Sequence, residues 1–489
     1  MQYFTLSKKK KSAKSCDKKN LKHSWAIMIT NIKVDGFKTL SDFELSLNHG
    51  LNVLVGPNGS GKTNIISFFE FLAHLIDNGP AEATSHLGGA GAVFRRVAET
   101  YQANISATIT GCYQLNENLA QFHIPNVSDG KDRFAFYEYS FTLLFSNELE
   151  SVIFTKQRFC FKHSKQFILA DEVVRAASDW GIDIDAALDS RDATTKVTVR
   201  KVRGEFSTMF PFFPGKDQDA EAQVAQFLTQ VISPSTSIPS ILFRFNPHML
   251  LLSHDIAGGQ TYNIIPSRVK LPEDSAKPPG IASDGSGLSS TLYSLKRRNV
   301  TREFNAWIFA YPGRQGAMKA PTLDTLKRYF QLANTSIEDV DVANDSFSNQ
   351  LRVSFLIKNG DYSARVPLSL MSDGTLKWLT LLTAALTASS VFSIEEPENY
   401  LHPQMQGQFV KIIREILFKE KTRAATLMST HSETLLNHCK PSELVVVALR
   451  RGKTMAYRCK NQSDLSDEIE KTGFGLGYYY IAGAIDDDQ

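Results

Sequence analysis

Long apolar runs are absent from this sequence of 489 residues, and none reaches 18 consecutive apolar positions. An α-helix needs about 20 such residues to cross the hydrocarbon core of a bilayer, so no membrane-spanning helix is predicted. The lysines near the N-terminus are not followed by the apolar segment of a secretory signal. These two absences predict a cytoplasmic protein that does not insert into a membrane.

Cysteine is scarce, and its positions follow no pattern. The five cysteines form no Cys-x-x-Cys pair, and none has zinc-ligand spacing with a histidine. This usage favours reduced thiols in a cytoplasmic protein over a disulfide framework or a zinc site. The cysteines are Cys16, Cys112, Cys160, Cys439 and Cys459.

Sustained heptads and internal repeats are also missing, which argues against a coiled coil or a solenoid. The composition, with 42% hydrophobic and 21% charged residues, is that of a globular protein. The length allows one large core or two to three smaller ones.

A basic excess is found only near the N-terminus. Residues 1–27 contain eight lysines and one acid, so the rest of the chain holds 46 basic and 50 acidic residues. The rest of the chain therefore has no overall positive charge that would attract nucleic acid, although this count does not exclude a local basic patch. The lysine-rich segment is predicted to be a disordered tail, with phosphate-backbone contact and a natural start at Met28 as alternatives.

Hydrophobic periodicity predicts the elements of the N-terminal part. Residues 29–34 and 43–47 alternate as half-buried strands do, and residues 51–55 form a short apolar strand. Residues 62–77 have the spacing of a helix, and residues 81–97 are predicted to form a loop because they are rich in glycine and alanine.

The middle of the chain is only partly interpretable. Alternating segments around 103–112, 134–145 and 152–161 predict an antiparallel sheet. Residues 171–240 have mixed polar content interrupted by prolines, and residues 266–280 are predicted to form a loop or linker.

Sharper signals follow residue 280. Ser286 is predicted to cap a helix whose apolar positions are Leu288, Leu292 and Leu295. Asn359-Gly360 lies between two alternating runs and predicts a hairpin. The last third alternates a helix after 375, a strand at 391–394, a helix near 404–418 and a strand at 425–429, which is α/β order.

A glycine-rich segment between the predicted strand 51–55 and helix 62–77 matches the GxxxxGK[ST] phosphate loop. Glycines let backbone N–H groups converge on phosphate oxygens, and the helix N-terminus adds partial positive charge. Lys62 is predicted to reach the β- and γ-phosphates, and the Thr63 hydroxyl to ligate Mg²⁺. The segment is Gly56-Pro57-Asn58-Gly59-Ser60-Gly61-Lys62-Thr63.

Two later strands end in polar residues suited to phosphoryl transfer. The strand at 391–394 is followed by Glu395 for the Mg²⁺ shell and Glu396 for the attacking water. His431 follows the strand at 425–429 and is a candidate for the γ-phosphate. Each feature alone is more often structural: an acidic pair after a strand, or a satisfied histidine at a strand end.

A second anion site is predicted at Ser372, Asp373 and Gly374, just before a helix. Anion binding is favoured where a serine hydroxyl, a glycine N–H and a helix N-terminus occur together. Because the phosphate loop already encloses its own phosphates, this turn is predicted to cap the nucleotide held by another copy of the chain.

The four elements occur in the order phosphate loop, serine-glycine turn, acidic strand and histidine strand. This order resembles the ABC ATPases, specifically the RecF/SMC-like branch of stand-alone prokaryotic ATPases. Residues 394–403 look like that branch's "EPE…HP" Walker B and D-loop, and residues 372–376 like its variant signature motif. Residues 284–293 are similar to its "DGxxLAxxLY" segment.

The resemblance implies a fold and two ligands. The fold is α/β: an ABC ATPase head with a mixed P-loop sheet and an antiparallel β lobe, an inserted α/β region and no coiled coil. The ligands are ATP and Mg²⁺. Glu395 stands where the family usually has Asp, so it would hold Mg²⁺ through water. Lys38 matches a basic residue that helps position the nucleotide, and Gln102 is the candidate Q-loop residue near the metal.

Domain boundaries follow from the same resemblance. Residues 1–27 are the tail, 28–110 the N-terminal lobe of the ATPase, 111–340 an inserted β and helical region, and 341–489 the C-terminal lobe. Lys62 and Ser372 lie 310 positions apart, a gap longer than that of ABC transporter motor domains. Only 58 residues follow His431, too few for the TOPRIM domain of OLD-type nucleases.

Among such ATPases, the chain most resembles the PtuA ATPases of Septu and retron-associated defence systems, with the AriA ATPases of PARIS as near relatives. The resemblance implies homodimers or higher homo-oligomers that control a partner nuclease, of HNH type if Septu-like. Nucleic acid is a further possible partner, bound directly or through that nuclease. A RecF-like DNA-repair ATPase and a non-hydrolysing ATP-gated scaffold are the alternatives.

Overall fold

The computed structural model describes most of the chain from residue 28 onward. The predictions for the tail 1–27 lie outside the described residues. The described ranges are 28–115, 133–164, 169–170, 172–173, 180–189, 194–203, 217–245, 256, 258–300, 321–333, 335–345, 347–388, 391–419, 425–459 and 461–485.

A six-stranded core sheet places the predicted phosphate loop and both polar strand ends. Its first five strands run parallel and the last is antiparallel, so the carboxyl ends of the parallel strands meet at one edge. Ligands in open α/β sheets bind at this edge. The strand order is Gln260–Tyr262, Phe392–Glu395, Thr426–Ser429, Leu51–Val55, Leu444–Arg450 and Lys453–Tyr457.

A seven-stranded antiparallel sheet forms the second large layer, and it confirms the sheet predicted from residues 103–161. Side chains alternate across it: Ile105, Ala107 and Ile109 are buried, whereas the residues between them are not. Its order is Thr195–Arg203, Trp180–Leu188, Ser151–Ser164, Arg133–Ser146, Asn104–Leu115, Met28–Asp35 and Phe43–Ser46.

A smaller antiparallel sheet contains the predicted hairpin. Asn359 pairs with Tyr362, so the two-residue turn is Gly360-Asp361, one position beyond the predicted Asn-Gly centre. Gly360 has φ +60°, a value that favours glycine. The strands of this sheet are Glu273–Asp274, Gln350–Asn359, Ile337–Asp345 and Tyr362–Pro367.

Helices cover the core sheet and connect the layers. Among the described residues, none is both long and apolar enough to cross a bilayer. The helices are Lys62–Asn78, Pro80–His86, Ala90–Val93, Asp217–Val231, Ile238–Phe245, Pro266–Val269, Leu288–Val300, Leu323–Ala333, Asp373–Thr387, Pro403–Lys419, Glu433–Leu436, Gln462–Thr472 and Leu476–Ile481, with 3-10 turns at Leu368–Leu370 and Pro441–Glu443. Two-residue strands lie at Arg96–Val97, Thr100–Tyr101, Leu169–Ala170 and Glu172–Val173.

Two hydrophobic clusters meet at the strand that precedes the phosphate loop. Leu54 packs into the cluster shared with the antiparallel sheet. Leu51, Val53 and Val55 pack into the cluster shared with the C-terminal helices. The strand is therefore buried on both faces, as expected for a central parallel strand, and the phosphate loop follows it directly.

The predicted loop at 81–97 is wrong. These residues contain the helix Pro80–His86, which begins with proline at its first position, and the short helix Ala90–Val93. Gly88 and Gly89 lie between the two helices with φ +96° and +92°. The glycines therefore mark the junction between two helices, and a high glycine content does not indicate a loop here.

The predicted Ser286 cap is also wrong. The helix is Leu288–Val300, and the buried carboxylate of Glu273 accepts hydrogen bonds from the backbone N–H groups of Gly287 and Ser290. Glu273 comes from a short strand inside the segment that was predicted to be a linker. A distant carboxylate thus satisfies the free N–H groups of this helix start.

Taken together, the layers confirm the predicted fold class. A mixed core sheet with the phosphate loop, a separate antiparallel lobe and further α/β elements are all present. No coiled coil occurs in the part of the chain that the structure describes. Residues 171–240, which had no clear pattern, contain strands of the antiparallel sheet and two helices.

Candidate nucleotide-binding site

The phosphate loop leaves the core sheet and turns directly into the helix Lys62–Asn78, as predicted. Two of its glycines have no room for a side chain. A Cβ atom on Gly56 would lie 2.0 Å from the carbonyl oxygen of Val447, and one on Gly61 would lie 2.0 Å from Oγ1 of Thr454. The neighbouring C-terminal strands therefore press against the loop and hold its shape.

Lys62 reaches back into the loop that precedes it. Its Nζ donates hydrogen bonds to the carbonyl oxygens of Gly56 at 2.8 Å and Pro57 at 3.1 Å. Burial lowers the pKa of Lys62, and the carboxylates of Glu396 and Glu398 act in the opposite direction. A buried ammonium group inside a ring of backbone is poised to attract an anion.

A hydroxyl network braces the loop from outside. The Thr454 hydroxyl donates to the Ser60 carbonyl oxygen at 3.1 Å and lies 2.6 Å from the Thr39 hydroxyl. The Asn64 side-chain amide donates to the same Thr39 hydroxyl at 2.7 Å. These three residues were missed by the sequence analysis, because hydroxyl and amide groups give no local signal of a distant partner.

Glu395 ends its core strand beside Thr63, and its surroundings fit a divalent cation. Burial raises the pKa of the Glu395 carboxyl, and a hydrogen bond with the Thr63 hydroxyl partly offsets this rise. The buried Oε1 atom of Glu395 has no hydrogen-bond partner among the described residues. Hard oxygen donors of this kind, a carboxylate and a hydroxyl, suit Mg²⁺.

Glu396 faces a different environment from its neighbour. Its side chain is exposed, and its Oε2 accepts a hydrogen bond from the Asn399 side-chain amide at 2.9 Å. Its backbone has φ +44°, a left-handed value that is strained in a residue with a side chain. The strand end thus turns one carboxylate inward and presents the next to solvent.

His431 is exposed at the end of the next core strand, as predicted. Its backbone N–H donates to Oε1 of Glu398 at 2.9 Å, and the Thr430 hydroxyl donates to the same oxygen at 2.9 Å. Glu398 therefore joins the acidic strand end to the histidine strand end. Sequence reasoning missed this role, although Glu398 stands in the quoted "EPE" motif.

The serine-glycine turn begins the helix Asp373–Thr387, named here the signature helix. The Ser372 hydroxyl oxygen accepts from the Thr375 N–H at 3.3 Å, so Ser372 is the N-cap. Asp373 pairs with Lys270 at 2.7 Å. A Cβ atom on Gly374 would lie 2.6 Å from the carbonyl oxygen of Tyr400, so the turn packs against the segment after Glu396.

Lys38 and Gln102 lie next to strands Met28–Asp35 and Asn104–Leu115 of the antiparallel sheet. Burial lowers the pKa of Lys38, and the carboxylates of Glu70 and Glu395 act in the opposite direction. The Gln102 amide donates to the Asp35 carboxylate at 2.6 Å. A metal role for Gln102 stays a prediction.

A further group of possible metal ligands lies on the phosphate-loop helix and the helix after it. Glu70, His74 and His86 bring their ligand atoms within 4.8 Å of one another. However, the two imidazoles stack at 3.7 Å with an interplanar angle of 29°, and His86 pairs with Glu70 at 2.9 Å. His86 thus already has Glu70 as a hydrogen-bond partner and the His74 ring as a stacking partner, and we assign no metal to this group.

Two family models match the chain. The first, described as "AAA ATPase domain", matches residues 28–187 and contains the phosphate loop. The second, described as "AAA domain, putative AbiEii toxin, Type IV TA system", matches residues 271–437 and contains the serine-glycine turn, both acidic residues and His431.

Relatives are similar over short segments. The DNA replication and repair protein RecF of Corynebacterium jeikeium is 35% identical over 80 residues, which is 16% of this chain and 17% of that protein. The Septu protein PtuA of Bacillus thuringiensis is 40% identical over 53 residues, 11% of this chain and 13% of that protein.

Among solved structures, an SMC head bound to the C-winged helix domain of ScpA aligns with 89% of this chain and 99% of its own, at 11% identity and a TM-score of 0.43. This score is low, so the fold assignment rests on the strand order given above. The chain resembles ABC-class ATPases of the RecF and PtuA kind, and it aligns with 13–17% of the length of these curated relatives.

Proposed function

We propose that this chain binds Mg²⁺ and ATP and hydrolyses ATP to ADP and phosphate. The observation that carries the proposal is the buried, unpartnered Oε1 of Glu395 beside Thr63, at the same sheet edge as the phosphate loop. A buried carboxylate oxygen without a hydrogen-bond donor is costly unless a cation satisfies it.

Each residue has a distinct role in this proposal. Lys62 and the backbone N–H groups of the loop bind the β- and γ-phosphates, and Thr63 and Glu395 hold Mg²⁺, which when bound neutralises phosphate charge. Exposed Glu396 orients the attacking water and accepts its proton. His431 donates a hydrogen bond to the γ-phosphate, and Lys38 helps to position the nucleotide.

Two copies complete each site in this account. The N-terminus of the signature helix, with Ser372 and Gly374, caps the nucleotide held by the phosphate loop of the other copy. Two apolar side chains support a contact surface there, because Leu370 and Tyr400 flank the turn and are 74% and 62% exposed. The partner surface would cover them.

Steady-state turnover by the purified protein tests this function. Glu396→Gln is expected to lower kcat at least about 100-fold, while ATP binding stays within a few-fold, because the variant keeps the loop and the metal residues. Size-exclusion chromatography with ATP should then detect a trapped dimer. ATP turnover that is the same in wild type and Glu396→Gln contradicts the proposed role of Glu396, and a wild type without turnover contradicts hydrolysis.

For the biological role, we propose a regulator in a prokaryotic antiviral defence system, in which ATP-dependent dimers or higher oligomers control a partner nuclease. The likeness to Septu protein PtuA and the toxin-antitoxin wording of the second family description support this role. Affinity purification of the chain expressed from its native operon tests it. A nuclease that co-purifies at constant stoichiometry is expected, and the absence of any neighbouring gene product contradicts the proposal.

A RecF-like DNA-binding ATPase is the second candidate, supported by the 35% identity to RecF over 80 residues. It predicts that DNA stimulates ATP turnover and that DNA binding weakens steeply with salt. Filter binding at two salt concentrations separates the two candidates, because the defence regulator without its nuclease is expected to bind DNA weakly at both.

A further inference from the structure

A lysine lies almost completely buried one turn into the signature helix. Lys377 is 1% exposed and stands between two fully buried apolar residues, Leu376 and Trp378. Burying an ammonium group is costly unless hydrogen bonds and negative charge compensate for the lost water. The partners of Lys377 therefore indicate why a lysine occupies this position.

The partners of Lys377 among the described residues lie in one segment, residues 396–400, named here the acidic turn. Nζ of Lys377 donates a hydrogen bond to the backbone carbonyl oxygen of Glu396 at 2.9 Å. Burial lowers the pKa of Lys377 to about 8, and the carboxylates of Glu398 and Glu396 oppose this lowering. The Nζ atom of Lys377 lies 5.7 Å from the centre of the Tyr400 ring. One buried cation thus holds both ends of this turn.

The backbone that Lys377 holds is strained. Glu396 and Tyr400 have φ +44° and +68°, left-handed values that are strained in a residue with a side chain. The Glu396 N–H donates to the Ser429 carbonyl oxygen at 3.0 Å, so the core sheet fixes one side of this residue. The bond from Lys377 fixes the other side.

The signature helix makes a second contact with the same turn. Gly374 packs so closely on the Tyr400 carbonyl oxygen that a methyl group would not fit between them. A shift of the helix N-terminus would therefore move the acidic turn through both Gly374 and Lys377. The helix end that meets the other copy's nucleotide is thereby connected to this copy's own Glu396.

We infer that Lys377 is a positioning residue that sets the orientation of Glu396 and couples it to the signature helix. This inference rests on the proposed ATPase function. Lys377 touches neither nucleotide nor water in this account, and it acts through the Glu396 backbone. Its loss should therefore change the rate of hydrolysis and leave ATP binding nearly unaltered.

Lys377→Met tests the inference, because methionine keeps most of the side-chain length and removes the charge and the hydrogen bonds. We expect kcat to fall about 10- to 100-fold, the scale for a misplaced catalytic group, with the Kd for ATP within about threefold. Lys377→Arg keeps a charged donor and should lose less. Lys327→Met is the control, since the Lys327 side chain is 25% exposed and pairs with Asp339 at 2.6 Å.

A double-mutant cycle distinguishes positioning from general stabilisation. If Lys377 acts through Glu396, adding Lys377→Met to Glu396→Gln should lower kcat no further. Should Lys377→Met fold poorly, the same cycle with Lys377→Arg applies. Additive losses, or wild-type kcat in both Lys377 variants, would overturn the inference. A wild type without turnover would contradict the proposed ATPase function instead.

Discussion

The phosphate loop and the serine-glycine turn are both predicted to bind phosphate, but they differ in the contacts that they make with the rest of the chain. The loop is enclosed by its own chain: Lys62 bonds to it from inside, and Thr454 braces it from outside. The turn pairs with Lys270 and packs against Tyr400, and exposed apolar side chains flank it. This difference supports the proposal that the loop forms one half of a shared site and that the turn of a second copy forms the other half.

The largest effect should come from the loop. Lys62→Ala removes the buried ammonium group, and we expect the Kd for ATP to rise at least about 100-fold, since charged hydrogen bonds to phosphate are strong. Isothermal titration calorimetry measures the change. Lys33→Ala is the control, because Lys33 is an exposed lysine paired with Glu44. An unchanged Kd in Lys62→Ala would mean that the phosphate loop does not bind ATP through Lys62, and the proposed difference between the loop and the serine-glycine turn would be wrong.

A smaller and selective effect is expected at the metal residue. Glu395→Gln removes the negative charge of the buried carboxylate, so the Mg²⁺ concentration for half-maximal turnover should rise about 10-fold. Nucleotide binding without Mg²⁺ should stay the same. Glu99→Gln serves as the control, because the Glu99 side chain is 96% exposed. Equal Mg²⁺ dependence in Glu395→Gln and wild type would exclude Glu395 from the metal site.

The smallest effect should come from the hydroxyl network of Thr454 and Thr39 that contacts the phosphate loop. Thr454→Val removes the hydroxyl that contacts Ser60 and Thr39 but keeps the side-chain shape. We expect about fivefold weaker ATP binding, equal to about 1 kcal/mol for one lost hydrogen bond. In the control Thr229→Val, an exposed hydroxyl that bonds within its own helix is lost, and ATP binding should not change. Equal affinities in wild type and Thr454→Val would mean that this hydroxyl network does not shape the loop.

The parts of the candidate site that could be predicted from the sequence are those whose geometry is set by neighbouring residues in the chain. The phosphate loop is a strand, a glycine turn and a helix in succession, and short-range physics determines each. The positions of Glu395, Glu396 and His431 were predictable because these residues lie at or just after the ends of core strands. These residues were predictable since their geometry comes from neighbours in the sequence.

The residues that the sequence did not reveal depend on contacts between distant segments. Thr454 meets Ser60 across 394 positions, and Lys377 is a lysine in an otherwise apolar stretch that gives no sign of its partner. Glu273 caps a helix from a segment that was predicted to be a linker. In each case the tertiary fold supplies the partner, and no periodic pattern records it.

Complementation between two inactive variants tests the shared site most directly. Lys62→Ala disables the loop, and Ser372→Arg blocks the turn, so each variant alone should lack turnover. Mixed one to one with subunit exchange, they should regain up to about a quarter of wild-type activity, because half of the dimers would carry one intact composite site. If the mixture stays inactive although mixed dimers form, each chain closes its own site and the account is wrong.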